Sequence, residues 1–245
     1  MRRPTREELR RRRGLLVAVT AVVALLGVGI LAGQQPTTEV TDGPGTAEAT
    51  TPTTGDPAPS APRPVPTTTT PTGRFVASLH TGQPVGDGPL RTYRVEVEEG
   101  TGVDPDLFAD EVEVILSNPR GWTTVDGISL QRVAADADIL VTLATAATVD
   151  LLCHPLDTEG ETSCAQPQRA IINLDRWLLG AEPSGLDVPT YRSYVISHEV
   201  GHTLGHDHVD CPAAGAPAPV MMQQTYSIGD CAPNAWPVPP EAAGG

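Results

Sequence analysis

The stretch HEVGHTLGHDH, residues 198–208, holds four of the six histidines in this chain of 245 residues. It overlaps the segment VPTYRSYVISHEVGHTLG, residues 188–205, which has a proline near its start and a glycine at its end, as many helices do. In such a helix His198 and His202 are four residues apart and lie one above the other on the same face. Two imidazoles placed in this way can bind one metal ion together.

A third ligand for the same ion must come from beyond the helix. In a continuing helix His206 would lie about 12 Å along the axis from His198, too far to share one ion. Gly205 allows the chain to turn, because glycine adopts a positive φ without steric cost. After such a turn His208 can return to the metal, whereas His206 should point elsewhere. Asp207 is an alternative oxygen ligand. The predicted zinc ligands are His198, His202 and His208.

Glu199 follows the first predicted ligand and lies about 100° around the helix from it. It is poorly placed to bind the ion itself, but it can reach a water molecule bound there. Three neutral histidines would leave the fourth position of a tetrahedral zinc ion open for that water. The pattern therefore indicates a hydrolytic site in which Glu199 is the catalytic general base.

The motif HExxHxxGxxH, filled by His198, Glu199, His202, Gly205 and His208, resembles the extended zinc signature of the metzincin metalloproteases. The resemblance implies a metzincin-like zincin fold with one catalytic Zn²⁺ ion. It also implies cleavage of peptide bonds in a peptide or protein substrate, and a structural role for Gly205 at the turn. The chain as a whole resembles an uncharacterised family of exported actinobacterial domains.

Metzincins also carry a turn with a methionine beneath the metal. The segment APVMMQQT, residues 218–225, offers Met221 and Met222 for that place. The run CAPNAWP, residues 231–237, resembles one found in small secreted bacterial metzincins of the snapalysin kind, and this resemblance favours Met222 as the structural methionine. Many metzincins have a tyrosine two residues after the methionine, a position that Gln224 occupies here.

The N-terminal part of the chain is predicted to lie outside the folded domain. Residues 1–13 carry seven of the sixteen arginines, whereas residues 14–33 carry no charge over a length that spans a bilayer core as a helix. The basic flank predicts a single-pass signal-anchor with the rest of the chain outside the cytoplasm. Cleavage followed by secretion is the alternative. Residues 34–73, rich in threonine and proline, are predicted to form a disordered linker.

Residues 74–245 are predicted to form one domain, long enough to bury a core of its own. This part contains 24 aspartates and glutamates against eight arginines, and the whole chain contains no lysine. Such a charge excludes electrostatic binding of nucleic acid or anionic lipid. We expect a monomer that contacts the membrane only through the N-terminal helix.

All four cysteines lie in this domain, and an even number in an exported domain favours disulfides. Three pairings are possible. Closeness in sequence favours Cys153–Cys164 and Cys211–Cys231. A zinc site made of cysteines is disfavoured, because the CxxC spacing is absent.

The periodicity of apolar residues predicts an α/β (α+β) domain, with a mixed β-sheet and two main helices. Apolar and polar residues alternate in the segment 92–100, as in a half-buried strand, and a helix should begin after Asp104 and end before Asn118-Pro119. Three further strands are predicted in GISLQRVA (127–134), ADILVTLAT (137–145) and RAIINLDRWLL (169–179), and a polar loop in CHPLDTEGETSC (153–164).

Three functions follow from these patterns. The leading one is a zinc metallopeptidase that cleaves internal peptide bonds. The second is a zinc-dependent hydrolase of a non-protein amide in the cell envelope, which would use the same site. The third is a non-catalytic binding module stabilised by zinc, and Glu199 argues against it because a structural site needs no general base.

Overall fold

The computed structural model describes residues 71–238. The predictions for the basic segment 1–13, the signal-anchor 14–33 and all but the end of the linker 34–73 lie outside these residues. Within 71–238, no helix combines the length and the apolar character needed to cross a bilayer.

The described chain folds as a mixed α/β domain around one six-stranded sheet. Its strands are β1 (Phe75–Ala77), β2 (Leu90–Glu98), β3 (Ser129–Arg132), β4 (Ile139–Ala144), β5 (Cys164–Gln166) and β6 (Arg169–Asn173). The order across the sheet is β1-β2-β4-β6-β5, and β3 also pairs with β2. Strands β2, β4 and β6 run parallel, whereas β1 and β5 are antiparallel to their neighbours. The sheet is therefore mixed, as the sequence predicts.

Within residues 71–238, two long α-helices and three short ones accompany the sheet. They are α1 (Pro105–Leu116), α2 (Trp122–Val125), α3 (Ala146–Cys153), α4 (Leu174–Leu179) and α5 (Val188–Thr203). The long helices α1 and α5 are the two that the sequence predicts. Asp104 caps α1, as expected, by accepting hydrogen bonds from the backbone of Asp106 and Leu107 at 2.8 and 3.1 Å. Asp187 caps α5 through the backbone N–H of Thr190 at 2.9 Å.

The core lies between the sheet and the two long helices. Helix α1 packs against β2, and α5 packs against β5 and β6. Phe108 and Val112 of α1, Ile172 of β6 and Ile196 of α5 are all buried there. Burial of each such side chain stabilises the fold by about 1.5–3 kcal/mol. This packing fixes α5 beside the β5 edge of the sheet, where the predicted site lies.

The prediction of one continuous strand over residues 169–179 is wrong. The strand β6 ends at Asn173, and the next residues form helix α4. The Asn173 side chain accepts hydrogen bonds from the backbone of Asp175 and Arg176 at 2.9 and 3.4 Å, which starts the helix. The loop predicted over 153–164 is also shorter than expected, because its first residue ends α3 and its last begins β5.

The predicted strand at 92–100 is β2, but it is buried on both faces rather than on one. Tyr93, Val95 and Val97 are buried as expected, and so are Glu96 and Glu98. Glu96 pairs with Arg169 of β6, and Glu98 accepts hydrogen bonds from threonines. Buried carboxylates are retained where such partners replace water.

Both predicted disulfides are present. Cys153 is bonded to Cys164, with their Cα atoms 6.2 Å apart, and Cys211 is bonded to Cys231, with their Cα atoms 5.8 Å apart. The first bond joins the end of α3 to β5, and the second closes the segment that contains Met221 and Met222. Two disulfides are compatible with an extracellular location.

Candidate metal centre

Three histidines meet at the C-terminal end of α5. His198 and His202 project from the same face of the helix, and His208 returns to them from beyond it. The Nε2 atom of His208 lies 3.2 Å from Nε2 of His198 and 3.0 Å from Nε2 of His202. Each of the three histidines offers one ring nitrogen, and these nitrogens all lie within 4.8 Å of one another. Together they could hold a metal ion.

The return of His208 depends on the predicted turn. Helix α5 ends at Thr203, and Gly205 has a φ of +97°, in the region that favours glycine. The backbone N–H of Gly205 donates to the carbonyl of His202 at 3.0 Å. The alternative ligand Asp207 is exposed and does not belong to the converging group.

The hydrogen bonds of the first two histidines leave their Nε2 atoms free to bind an ion. The Nδ1 of His198 donates to the carbonyl of Val220 at 2.8 Å, and the Nδ1 of His202 donates to the carbonyl of His206 at 2.8 Å. Burial lowers the pKa of His198 to about 3 and also lowers that of His208. Neutral imidazoles with their lone pairs on Nε2 are the form that a metal ion binds.

The spacing of these nitrogens fits a metal ion bound by three histidines. Bonds of 2.0–2.1 Å in a tetrahedral arrangement place two ligand nitrogens about 3.3 Å apart, close to the separations from His208 to its two partners. The Nε2 lone pairs of His198 and His202 both face the Nε2 of His208, which carries one hydrogen at most. Because a single hydrogen cannot satisfy both lone pairs, the cluster suits a cation at its centre.

His206 points away from this cluster, as the sequence predicts. Its Nε2 lies 3.0 and 3.1 Å from the two carboxylate oxygens of Asp126, and its ring stacks on Trp122. Asp126 and His206 are 80 positions apart in the sequence. No sequence pattern links them or Trp122, so their contact is visible only in the fold.

Glu199 is buried beside the histidines, with 4% of its surface exposed. Burial raises the pKa of Glu199 to about 8. A carboxyl group removed from water binds a proton more readily than one in solution, which is the property that a general base needs. A nearby cation would counteract this rise by favouring the carboxylate.

These residues line a cavity of about 390 Å³. Helix α5 contributes Tyr194, Glu199 and the first two histidines to its lining. A second part of the lining comprises β5 and the loop before it, and a third comprises Gln223, Thr225 and Tyr226. Among residues 71–238, strand β5 pairs only with β6 and so lies at the edge of the sheet. Cys164 ties that part of the lining to α3 through its disulfide.

The segment with the two methionines runs beneath the cluster. Val220 supplies the carbonyl that orients His198, and Met221 is buried in the core against Gly201 of α5. Met222 is half-buried, and its carbonyl accepts a hydrogen bond from the Tyr194 hydroxyl at 2.9 Å. The structural role expected of Met222 stays a prediction.

Gln224 stands where many metzincins have tyrosine, and here it ties two segments together. It is fully buried, and its side chain donates to the carbonyl of Asn234 at 2.7 Å. The Asn234 side chain donates to the carbonyls of Ala218 and Trp236, both at 2.9 Å. The sequence predicts no role for the pair, because two amides that meet in the fold leave no periodic signal.

Comparison with known proteins identifies a family and no function. The sequence profile of the DUF3152 family, described as a protein of unknown function, matches residues 61–235, more than half of the chain. The chain therefore belongs to this family. Searches of the curated proteins and of the solved structures found no match.

Proposed function

We propose that this domain is a metzincin-like zinc endopeptidase that hydrolyses peptide bonds. The observation that carries the proposal is the convergence of three imidazole nitrogens next to a buried carboxyl group, all in the lining of an open cavity. A zinc ion held by His198, His202 and His208 would polarise a scissile carbonyl and lower the pKa of water. Glu199 would take a proton from that water and deliver it to the leaving amine.

The free edge of β5 supports a peptide as the substrate. Cys164, Ala165 and Gln166 line the cavity, and β5 has a partner strand on one side only within the part of the chain that the structure describes. An unpaired edge offers backbone N–H and C=O groups with which an extended chain can pair as an added strand. A substrate bound in this way would be held by its main chain next to Glu199. A non-protein amide would make little use of such an edge.

The proposal includes a location outside the cytoplasm. The two disulfides support export of the domain. The apolar segment 14–33 would hold the protein in the membrane as a single-pass anchor, with secretion after cleavage as the alternative.

The test is the substitution Glu199→Gln in the full chain, assayed against a mixed peptide library with and without a chelator. Glutamine keeps the volume of the side chain but cannot accept the proton. We expect unchanged zinc content and a rate lower by about 10²–10⁴-fold. The matched control is Glu182→Gln, an exposed glutamate outside the cavity, which should cleave at the wild-type rate.

Two results would redirect the proposal. Wild-type protein that cleaves no peptide but releases an acyl group or a cell-wall fragment would be an amide hydrolase of the envelope. Wild-type protein that binds zinc and hydrolyses neither class of substrate would be a binding module.

A further inference from the structure

The imidazole of His206 is held between two side chains from a distant part of the chain. Its ring stacks on Trp122 with centroids 4.1 Å apart and planes 19° apart. Its Nε2 donates to the Asp126 carboxylate, whose oxygens lie 3.0 and 3.1 Å away. The proposed reaction uses none of these three side chains, so their arrangement needs another explanation.

The backbone of His206 contacts a predicted ligand directly. Its carbonyl accepts the hydrogen bond from Nδ1 of His202 at 2.8 Å, and its own N–H donates to the carbonyl of Gly201 at 3.0 Å. The position of His206 therefore determines which way the His202 ring turns. It also determines where the chain starts toward His208, two residues further on.

The two partners of His206 are themselves firmly held. Trp122 is buried, and its Nε1 donates to the carbonyl of Ser197 in α5 at 2.8 Å. Asp126 follows the short helix α2, and its backbone N–H donates to the carbonyl of Trp122 at 2.9 Å. Trp122 and Asp126 are thus attached to α5, the same helix that carries His198 and His202.

The loop 204–209 is also held by backbone hydrogen bonds to α5 and by the packing of Leu204 against the core, but it has few attachments to other elements. Gly205 is exposed, and a Cβ atom added there would meet no atom within 4 Å. Among the described residues, two hydrogen bonds tie the segment 204–209 to elements other than α5. One joins His206 to Asp126, and the other joins the N–H of Val209 to the carbonyl of Met221 at 3.2 Å. The Asp126 contact therefore holds the middle of the loop.

We propose that Asp126 and Trp122 are positioning residues for the metal centre, and that they act through His206. They hold the carbonyl that orients His202 and the turn that returns His208. The inference rests on the proposed metal site but is distinct from the proposed reaction. Partners of this kind that orient a ligand typically contribute about 10–100-fold to metal affinity.

The experiment measures the zinc dissociation constant of the full chain by competition with a chelator, and the rate of zinc release into excess chelator. Asp126→Ala should weaken zinc binding by about 10–100-fold and release zinc faster. Asp126→Asn keeps an acceptor for the His206 ring and should recover most of the affinity. His206→Phe keeps the stack on Trp122 but loses the same hydrogen bond as Asp126→Ala, so it should weaken zinc binding to a similar extent.

Asp187→Ala is the matched control, because Asp187 caps the opposite end of α5. Its loss should lower the melting temperature of the metal-free protein while leaving zinc affinity within about twofold of wild type. A merely structural role for Asp126 would give that same pattern. If Asp126→Ala does not fold, the comparison of Asp126→Asn with His206→Phe decides.

Two outcomes are distinguishable. Equal zinc affinity in wild type, Asp126→Ala and His206→Phe would overturn the positioning role alone. A wild-type protein that takes up no zinc would overturn the proposed metal centre and this role with it.

Discussion

His208 is the one predicted ligand that lies outside α5. Its substitution therefore tests whether the turn after the helix completes the metal site. His208→Ala removes the nitrogen that lies 3.0 Å from His202 and 3.2 Å from His198. Two histidines on a helix leave two positions of a tetrahedral ion to water. We expect zinc content, measured by elemental analysis after dialysis, to fall from about one ion per chain to near zero.

The control for this variant is His80→Ala, an exposed histidine whose nearest charged partner is Asp106 at 3.7 Å. It should retain its zinc. Full zinc content in His208→Ala would show that the zinc ion is bound by a different set of ligands.

Glu98 is a buried carboxylate whose hydrogen bonds connect three segments of the chain. It accepts from Thr148 at 2.6 Å, from the backbone of Thr145 at 2.8 Å, and from the backbone of Thr72 and Gly73 at 2.7 and 3.1 Å. Burial acts to raise the pKa of Glu98, but these hydrogen bonds more than offset it, so the pKa lies below its usual value. The ionised form is thus favoured in the folded state.

The lowered pKa of Glu98 predicts a loss of stability in acid. Below a pH of about 4.3, the ordinary pKa of glutamate, the unfolded state takes up a proton before the folded state does. The contribution of Glu98 is therefore fully present above that pH and is lost as the pH falls through the folded-state pKa. Glu98→Gln should lower the free energy of unfolding by about 2 kcal/mol at pH 7 and flatten this pH dependence.

Urea unfolding at pH 7 and at several values below pH 5 measures both effects. Glu99→Gln is the matched control, since the neighbouring Glu99 pairs with Arg74 at the surface and such pairs contribute little. A Glu98→Gln variant as stable as wild type at pH 7 would contradict the role assigned to this carboxylate.

At the scale of helices and strands, the sequence predicts those features that depend on neighbouring residues in the chain. Helices α1 and α5 carry proline in the first turn, and Gly205 allows the turn after α5, so their extents follow from short-range signals. The histidine motif is also local, and its geometry follows from helical spacing. The apolar run 169–179 predicts a strand throughout, because such a run does not distinguish a strand from a buried helix, but Asn173 caps a helix in the middle of it.

Contacts across the fold could not be predicted in this way. Trp122 and Asp126 reach His206 only because α2 packs beside α5, and the Tyr194 hydroxyl meets the carbonyl of Met222 across the core. The edge strand β5 has three residues, too few for a periodic signal. Its place in the cavity wall depends on pairing with β6.

Close packing beneath the metal centre predicts an unusual effect at Gly201, in the interior of α5. Replacing glycine by alanine within a helix normally stabilises it by about 1 kcal/mol. A Cβ atom at Gly201 would fall 2.6 Å from the sulfur of Met221 and 2.6 Å from a ring carbon of Trp122. Overpacking of this kind costs about 1–3 kcal/mol, so Gly201→Ala should lower the free energy of unfolding.

Thermal and urea unfolding of the metal-free protein measure this change. Ser193→Ala, earlier in the same helix, is the control and should change stability by less than about 0.5 kcal/mol. A Gly201→Ala variant more stable than wild type would mean that Met221 and Trp122 can move aside without cost.

At the scale of the whole molecule, the charge of the domain bears on the substrate. Residues 74–245 are strongly acidic, and several of the arginines there pair with carboxylates. No arginine lines the cavity in the described part of the chain, whereas Asp157 and Glu199 both do. A zinc ion beside Glu199 would offset the charge of that carboxyl group, but Asp157 does not belong to the histidine group and lines another part of the cavity. Its carboxylate should attract positive charge and repel negative charge there.

The proposed endopeptidase should therefore prefer peptides with arginine or lysine near the scissile bond over peptides with aspartate or glutamate there. Because Asp157 is exposed, the preference should be modest, about 2–10-fold in kcat/KM at low ionic strength. It should shrink as salt is raised toward 1 M, where the screening length falls to about 3 Å. Matched peptide pairs that differ only in this charge measure the ratio. Asp157→Asn should reduce it, whereas Asp87→Asn, an exposed aspartate outside the cavity, should not. A preference for acidic peptides, or a ratio that salt leaves unchanged, would show that cleft charge does not select the substrate.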